Sequence, residues 1–122
     1  VLVTARPPLV AFNVDLVSSD TELARAIAAE IREAGGGLPG VRAIGLFLRE
    51  RGRAQVSTNV HDPGSTPLRM VVEAVRSRAE VAEAELVGLA PALALERFPE
   101  DVPLRGFSPE RHLLENALRS LG

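Results

Sequence analysis

The sequence predicts an α+β domain in which helices cover one face of an antiparallel sheet. Four short segments alternate hydrophobic and polar residues, as half-buried strands do. Two longer segments repeat hydrophobic residues every three or four positions, as amphipathic helices do. These segments follow the order strand, helix, strand, strand, helix, strand, and a further helix is predicted at the C-terminus. That order is the βαββαβ pattern of a ferredoxin-like fold, with the first and third strands at the centre of a four-stranded sheet.

The first strand and the first helix have clear local signals. The strand is predicted at residues 9–17, where hydrophobic residues occupy alternate positions. The helix is predicted to begin at Ser19, because Glu22 follows three residues later in a capping-box pattern, and to end at Gly35. Its apolar stripe consists of Leu23, Ile27, Ile31 and Ala34.

The remaining elements continue the same pattern. Strands are predicted at residues 41–49, 54–61 and 84–89. A turn around Gly52 joins the first two of these as a hairpin. The second helix is predicted from about Thr66, with Pro67 in its first turn. The last helix is predicted from Ser108, and the residues expected to face inward are Leu114, Ala117, Leu118 and Leu121.

The composition indicates one globular domain over residues 1–122 and excludes several classes of function. Hydrophobic residues make up 46% and charged residues 25%, and no apolar run reaches the ~20 residues of a membrane span. A net charge of −2 and the absence of Trp and Tyr disfavour nucleic-acid binding. The chain has neither Cys nor Lys, which excludes disulfides, thiolate chemistry and Schiff bases and predicts a cytoplasmic location.

Polar residues gather on the sheet face that the helices are not expected to cover. Asn13 and Asp15 lie on this face of the first strand, and Gln55, Ser57 and Asn59 lie on it in the third. Open sheet faces are often simply solvated, so alternation alone leaves that interpretation open. A solvated face would usually carry more charge than one Asp, which favours a polar cavity or a surface that docks another domain.

Other candidate residues have weaker signals. Gly45 in the second strand is expected to leave room above the open face. His61 ends the third strand and is expected to have no catalytic role, and His112 is expected to face solvent. Two isolated histidines predict no metal site. Glu83 and Glu85 share one strand face about 7 Å apart, as paired carboxylates of glycosidases can, but solvated charge is the favoured interpretation.

Five stretches, in order, resemble the C-terminal half of the glutamate formiminotransferase domain. They are ARPPLVAFNV, GLPGVRAIGL, AQVSTN, ELVGLAP and FSPERHLLENAL, and they span nearly the whole chain. The resemblance implies one of two ferredoxin-like halves that face each other across a tunnel holding tetrahydrofolate as co-substrate. It further implies a transferase of histidine catabolism, in which the formimino group of N-formimino-L-glutamate passes to the folate.

The resemblance also implies roles for individual residues. Asn13, Gln55, Ser57 and Asn59 are the positions expected to face the tunnel, and Gly88 is expected to allow close approach of the ligand.

Arg6 precedes the first strand where a carboxylate of folate or formiminoglutamate could bind, and a surface arginine is the alternative. Neither His61 nor His112 matches the family's catalytic histidine, which belongs to an N-terminal half that the chain lacks, so no catalytic residue is predicted here. Asp15 and Glu83-Ala84 depart from the residues usual in the family.

Two hypotheses follow for the partner of this chain. In the first, the chain works with an N-terminal formiminotransferase half and supplies part of the folate site. In the second, it is a stand-alone, non-catalytic module that binds a small ligand or forms a homo-oligomer through its polar sheet face, burying Gln55 and Asn59.

Overall fold

The computed structural model describes residues 9–108, 112 and 113. Four strands form one antiparallel sheet: β1 (Val10–Leu16), β2 (Val41–Leu48), β3 (Arg53–Val60) and β4 (Val81–Val87). Their order across the sheet is β2-β3-β1-β4, so the first and third strands are central. The predicted α+β fold with ferredoxin-like strand order is therefore confirmed.

Helix α1 (Thr21–Ile31) follows β1 and packs over β2 and β3. Its N-cap is Asp20, whose carboxylate oxygen accepts hydrogen bonds from the backbone N–H groups of Glu22 at 3.0 Å and Leu23 at 3.2 Å. The prediction that Ser19 caps this helix is wrong, because the carboxylate one residue later satisfies two of the free N–H groups of the first turn.

Helix α2 (Leu68–Arg76) packs beside α1 and contacts β1 and β4. Pro67 is its N-cap residue, so the helix begins slightly later than the sequence predicts. Thr66 is fully buried instead, and its hydroxyl donates to the Pro39 carbonyl at 2.8 Å, which ties the loop before β2 to the start of α2. Within the described residues, no helix is long and apolar enough to cross a bilayer.

One hydrophobic core lies between the helices and the sheet. The side chains fully buried there include Val10, Phe12, Val14, Leu16, Ile27, Ile31, Val56, Val60, Leu68, Val71, Val72 and Val75. Phe98, from the segment after β4, packs edge-on against Phe12 with ring centroids 6.0 Å apart. Because all these groups meet on one side of the sheet, the other face carries most of the polar residues of the strands.

Strand β2 contradicts one prediction. Gly45 faces α1, where an added Cβ would lie 2.4 Å from the backbone nitrogen of Arg25, so it leaves room for the helix and not for a ligand on the open face. Its larger neighbour Ile44 points to the open side and is 63% exposed. The close approach of α1 thus turns the small residues of β2 inward.

The outer edge of β4 is partly covered by a later segment. The Ala84 N–H donates to the Pro103 carbonyl at 2.8 Å, and the Arg105 N–H donates to the Ala84 carbonyl at 2.7 Å, which gives a parallel bridge between Ala84 and Leu104. This bridge sets Arg105 at the margin of the open face. The inward residues predicted for the C-terminal helix, Leu114, Ala117, Leu118 and Leu121, lie outside the described residues.

Candidate functional site

The open face consists of aligned rows of side chains that cross the sheet. In the first row, Gln55 of β3 pairs with Asp15 of β1, which pairs with Glu83 of β4. In the second row, Ser57 pairs with Asn13, which pairs with Glu85. In the third row, Arg42 of β2 pairs with Asn59, which pairs with Ala11, which pairs with Val87. The strand register therefore brings together four of the predicted positions: Asn13, Gln55, Ser57 and Asn59.

Arg105 lies over the first two rows. Its guanidinium donates hydrogen bonds to the carboxylates of Asp15, Glu83 and Glu85, with 2.8 Å to Glu83 and 3.1 Å to Glu85. Asp15 is fully buried beneath it, and its other oxygen accepts a 2.8 Å hydrogen bond from the Gln55 amide. Since a buried carboxylate is stable only when paired and hydrogen-bonded, Arg105 and Gln55 together allow Asp15 to occupy the centre of the sheet.

Glu83 connects this cluster to the β2–β3 hairpin. Its carboxylate accepts hydrogen bonds from Arg53 at 3.0 Å and Arg51 at 3.2 Å as well as from Arg105. The Arg105 network comprises seven side chains, namely Asp15, Gln55, Glu83, Glu85, Arg51, Arg53 and Arg105. It contains three carboxylates and three guanidinium groups, so its formal charges cancel.

The Arg105 guanidinium remains protonated in this setting. Its partial burial opposes the charged form, but its hydrogen bonds to Asp15, Glu83 and Glu85, together with the charge of Asp15, raise the pKa of Arg105 above its usual value. The side chain is only 18% exposed. Arg105 therefore acts as a fixed positive charge and not as an acid or base.

The uncharged polar residues are not equivalent. Asn13 is already engaged, because its carbonyl oxygen accepts from the Ser57 hydroxyl at 2.8 Å and its amide donates weakly to Glu85 at 3.5 Å. Asn59 is half-buried, and its amide forms no hydrogen bond within the described part of the chain. The Ser57 oxygen and the whole Asn59 amide thus keep hydrogen-bonding capacity for another molecule.

Of the other two predicted positions, the structure describes only Gly88. Gly88 follows β4, is exposed and has a φ of 79°, with no atom near the position of an added Cβ. The backbone conformation is a reason for glycine there, and the predicted close approach of a ligand stays a prediction. Arg6 lies outside the described residues.

The charge of the open face was underestimated from the sequence. The Arg105 network adds two carboxylates and three arginines to the one Asp counted from the sequence, and Arg42 lies on the same face. The interpretation of Glu83 as solvated charge is wrong, because its side chain is 18% exposed and contacts three arginines. Arg105 was missed, since it lies 90 residues from Asp15 in a segment without a strand pattern.

Neither histidine belongs to this network. His61 is exposed just beyond β3, and the neighbouring carboxylate of Asp62 accepts hydrogen bonds from its own turn, from the Ser65 hydroxyl at 2.9 Å and the Gly64 N–H at 3.1 Å. His112 is half-buried with its ring centroid 5.5 Å from that of Phe107, so the expectation that it faces solvent holds only in part.

Comparison with known proteins matches this arrangement to one family. A family model described as the formiminotransferase domain matches residues 11–99, which include β1 from Ala11 onward, the other three strands, both helices and every strand residue of the open face. The chain belongs to this formiminotransferase domain family. The resemblance inferred from the five sequence stretches is thereby confirmed.

Several relatives carry names from the same family. A glutamate formimidoyltransferase of Streptococcus pyogenes serotype M1 is 38% identical over 122 aligned residues, which cover 95% of this chain and 41% of the relative. One of Thermoplasma acidophilum is 36% identical over 77% of this chain and 33% of its own length. A formimidoyltransferase-cyclodeaminase of Gallus gallus is 43% identical over 75% of this chain and 19% of its own length. The chain thus spans less than half the length of these relatives.

Proposed function

We propose that this chain is a single domain, the C-terminal subdomain of a glutamate formiminotransferase-like protein. Its open sheet face would contribute part of a tetrahydrofolate site for transfer of the formimino group from N-formimino-L-glutamate. The observation that carries the proposal is a sheet face that neither α1 nor α2 covers and that presents uncharged hydrogen-bonding groups, in a chain of the formiminotransferase domain family. A cytoplasmic location and a role in histidine catabolism belong to the same proposal.

The chemistry of the face suits a folate. The pterin ring of a folate carries alternating hydrogen-bond donors and acceptors, and amide and hydroxyl side chains can serve both kinds at a modest desolvation cost. Ser57 and Asn59 have the free capacity for such contacts, whereas Gln55 is 4% exposed and bonded to Asp15. Within the proposal, Asn59 and Ser57 contact the ligand, and Gln55 and Asn13 hold the surface beneath it.

Catalysis in this proposal needs a second polypeptide segment. The two histidines of the chain lie outside the Arg105 network, and Arg105 keeps its proton. The relatives contain more than half of their length beyond the region that aligns with this chain. We therefore propose that an N-terminal half, on the same polypeptide or a separate one, covers the open face and supplies the catalytic group.

The proposal is tested by calorimetric titration of the chain with 5-formyltetrahydrofolate, a stable folate. Asn59→Ala removes an amide from the open face and is expected to weaken binding about tenfold, the effect of one or two lost hydrogen bonds. The matched control is Glu73→Gln, an exposed residue of α2 on the helix-covered side, which should leave affinity unchanged. Equal affinity of Asn59→Ala and the parent chain would exclude a site on this face.

A second experiment tests the transfer reaction itself. The chain is mixed with the portion of the Streptococcus pyogenes relative that its alignment leaves uncovered, and formimino transfer to tetrahydrofolate is measured. Transfer that needs both pieces would support the proposal. A mixture in which the two pieces bind each other and no transfer occurs would count against it.

A homo-oligomer is the second candidate, and one observation favours it. Ile44 and Val87, which flank the polar rows of the open face, are 63% and 47% exposed. Exposed apolar side chains around a polar centre are typical of a surface that meets another protein. Since Gln55 is already buried within one chain, a dimer would use Asn59 and Ile44 instead. Sedimentation at micromolar concentration as a monomer would argue against this candidate.

A further inference from the structure

Three hydrogen bonds form a series along the second row of the open face. The Arg105 guanidinium donates to Glu85 Oε1 at 3.1 Å, and the Asn13 amide nitrogen donates to the same oxygen at 3.5 Å. The Asn13 carbonyl oxygen in turn accepts the Ser57 hydroxyl at 2.8 Å. The series therefore joins the fixed cation beside β4 to a hydroxyl on β3 through one carboxylate and one amide.

The direction of this hydrogen-bond series is set at Glu85. A carboxylate that is paired with a guanidinium can only accept hydrogen bonds, so the Asn13 side chain must turn its NH2 group toward it. The opposite orientation of the amide would place two oxygen acceptors against each other. Because the amide nitrogen faces Glu85, its carbonyl oxygen faces Ser57, and the Ser57 hydroxyl has to donate to that oxygen.

This direction decides what Ser57 offers to another molecule. Its single proton is committed to Asn13, so its oxygen keeps only lone pairs. The register neighbour on the other side is Ile44 of β2, whose exposed apolar side chain supplies no donor. Within the described part of the chain, the half-buried Ser57 oxygen accepts no hydrogen bond, so its capacity to accept is unused.

We propose that Ser57 is a specificity-determining residue that presents only a hydrogen-bond acceptor, and that Asn13 and Glu85 are the positioning residues that make it so. The ligand group selected at this point is an N–H or O–H donor with an apolar side toward Ile44. A ligand carbonyl there would meet the Ser57 lone pairs and would lose its hydrogen bond to water without a replacement. The inference rests on the proposed function for the identity of the ligand, whereas the direction of the series requires no ligand.

The first test measures the orientation of the Asn13 amide by NMR, without a ligand. Its side-chain amide protons should show stronger nuclear Overhauser contacts to the γ protons of Glu85 than to the β protons of Ser57. Glu85→Ala removes the acceptor, so the amide can reverse and its contacts to Ser57 should strengthen. Glu85→Gln removes the same charge but keeps an oxygen that can accept from both donors, so the contacts to Ser57 should stay as weak as in the parent chain.

The matched control is Glu83→Ala. Glu83 also accepts from Arg105, at 2.8 Å, but it forms no hydrogen bond with Asn13 among the described residues. The variant therefore removes a carboxylate from the same network and should leave the Asn13 orientation unchanged. Thermal unfolding checks that each variant is folded. A parent chain whose Asn13 nitrogen faces Ser57, or contacts to Ser57 that are equally weak in Glu85→Ala, would overturn the inference.

The second test measures the binding of 5-formyltetrahydrofolate to two variants of the open face by calorimetry. Ser57→Ala removes the acceptor and should weaken binding about fivefold, the effect of one hydrogen bond. Asn13→Leu releases the Ser57 proton but keeps the lone pairs, so it should bind no more tightly than the parent chain. Severalfold tighter binding by Asn13→Leu would mean that Ser57 donates to the ligand, and this result would overturn the inference.

The outcomes separate this inference from the proposed function. Folate affinity that falls in Asn59→Ala but not in Ser57→Ala leaves the function standing and removes the Ser57 contact. If the parent chain binds no folate, the proposed function and the ligand contact of Ser57 are both refuted. The Asn13 orientation measured by NMR then still decides whether Ser57 presents only an acceptor.

Discussion

Replacing Arg105 by Met removes the guanidinium that contacts three carboxylates while keeping much of the side chain's length. Asp15, which has no exposed surface, would then retain only its hydrogen bond from Gln55. Breaking a buried ion pair by removing one partner typically costs about 3–5 kcal/mol. Because Arg105 itself is 18% exposed, water can partly replace it, and we expect a loss of about 2–4 kcal/mol in the free energy of unfolding.

The assay is denaturant unfolding at neutral pH, with thermal unfolding as a second measure. A loss of about 3 kcal/mol should lower the midpoint temperature by roughly 12 °C in a domain of this size. Asp15→Asn in the same chain is the informative second change, since an amide oxygen still accepts from Gln55 but carries no charge. We expect the double variant to recover at least half of the lost stability, which is a coupling of about 1–2 kcal/mol.

The matched control is Arg76→Met. Arg76 pairs with Asp101 through two hydrogen bonds of 2.6 and 3.2 Å, but the Asp101 side chain is 68% exposed, so this variant should change stability much less. Equal effects of Arg105→Met and Arg76→Met would refute the reasoning, because they would mean that the buried position of Asp15 adds nothing. A double variant no more stable than Arg105→Met would refute it as well.

Three further predictions follow from the fold. Gly45→Ala should destabilise the chain by about 3 kcal/mol or more in denaturant unfolding, because the new Cβ would lie 2.4 Å from the Arg25 nitrogen, and an unchanged midpoint would contradict that packing. Thr66→Val removes the hydroxyl that donates to the Pro39 carbonyl and should cost about 0.5–1.5 kcal/mol by the same measurement. The Ser65 hydroxyl and backbone lower the pKa of Asp62 below 3.8, so Asp62→Ala should be less stable than the parent above about pH 4. This difference should shrink as the pH falls through the lowered pKa, and a constant difference from pH 2 to 6 would contradict it.

Periodicity predicts the elements that a single strong pattern specifies. β1 and β3 alternate large aliphatic with polar residues, so their faces follow from the sequence. β2 does not, because its larger residue Ile44 faces outward while Gly45 faces the helix. In β2, the size of the hydrophobic residues predicts the wrong face for the core. The distance between α1 and the sheet depends on tertiary packing, which no local sequence pattern encodes.

Strand alternation predicts only the uncharged residues of the candidate site. Asn13, Ser57 and Asn59 lie on regular central strands, so topology and alternation bring them together. Arg105 reaches the same face from a bridge beyond the edge of β4, where no periodic signal exists. A sequence signal was nevertheless present, because a buried-strand position occupied by Asp15 requires a cation, and the chain had to supply one from somewhere.

The two ends of the open face therefore have different physical roles. At the end with the Arg105 network, every charge has a partner and the formal charges cancel, so a ligand would have to displace strong contacts to bind there. At the opposite end, Asn59 has free hydrogen-bonding capacity, and Arg42 forms no ion pair within the described residues. Binding an anion at this second end gains interactions without breaking any. In the proposed function, a partner half that covers the sheet would enclose the free hydrogen-bonding groups of Asn59 and Ser57, with the neutral network as a rigid wall on the β4 side.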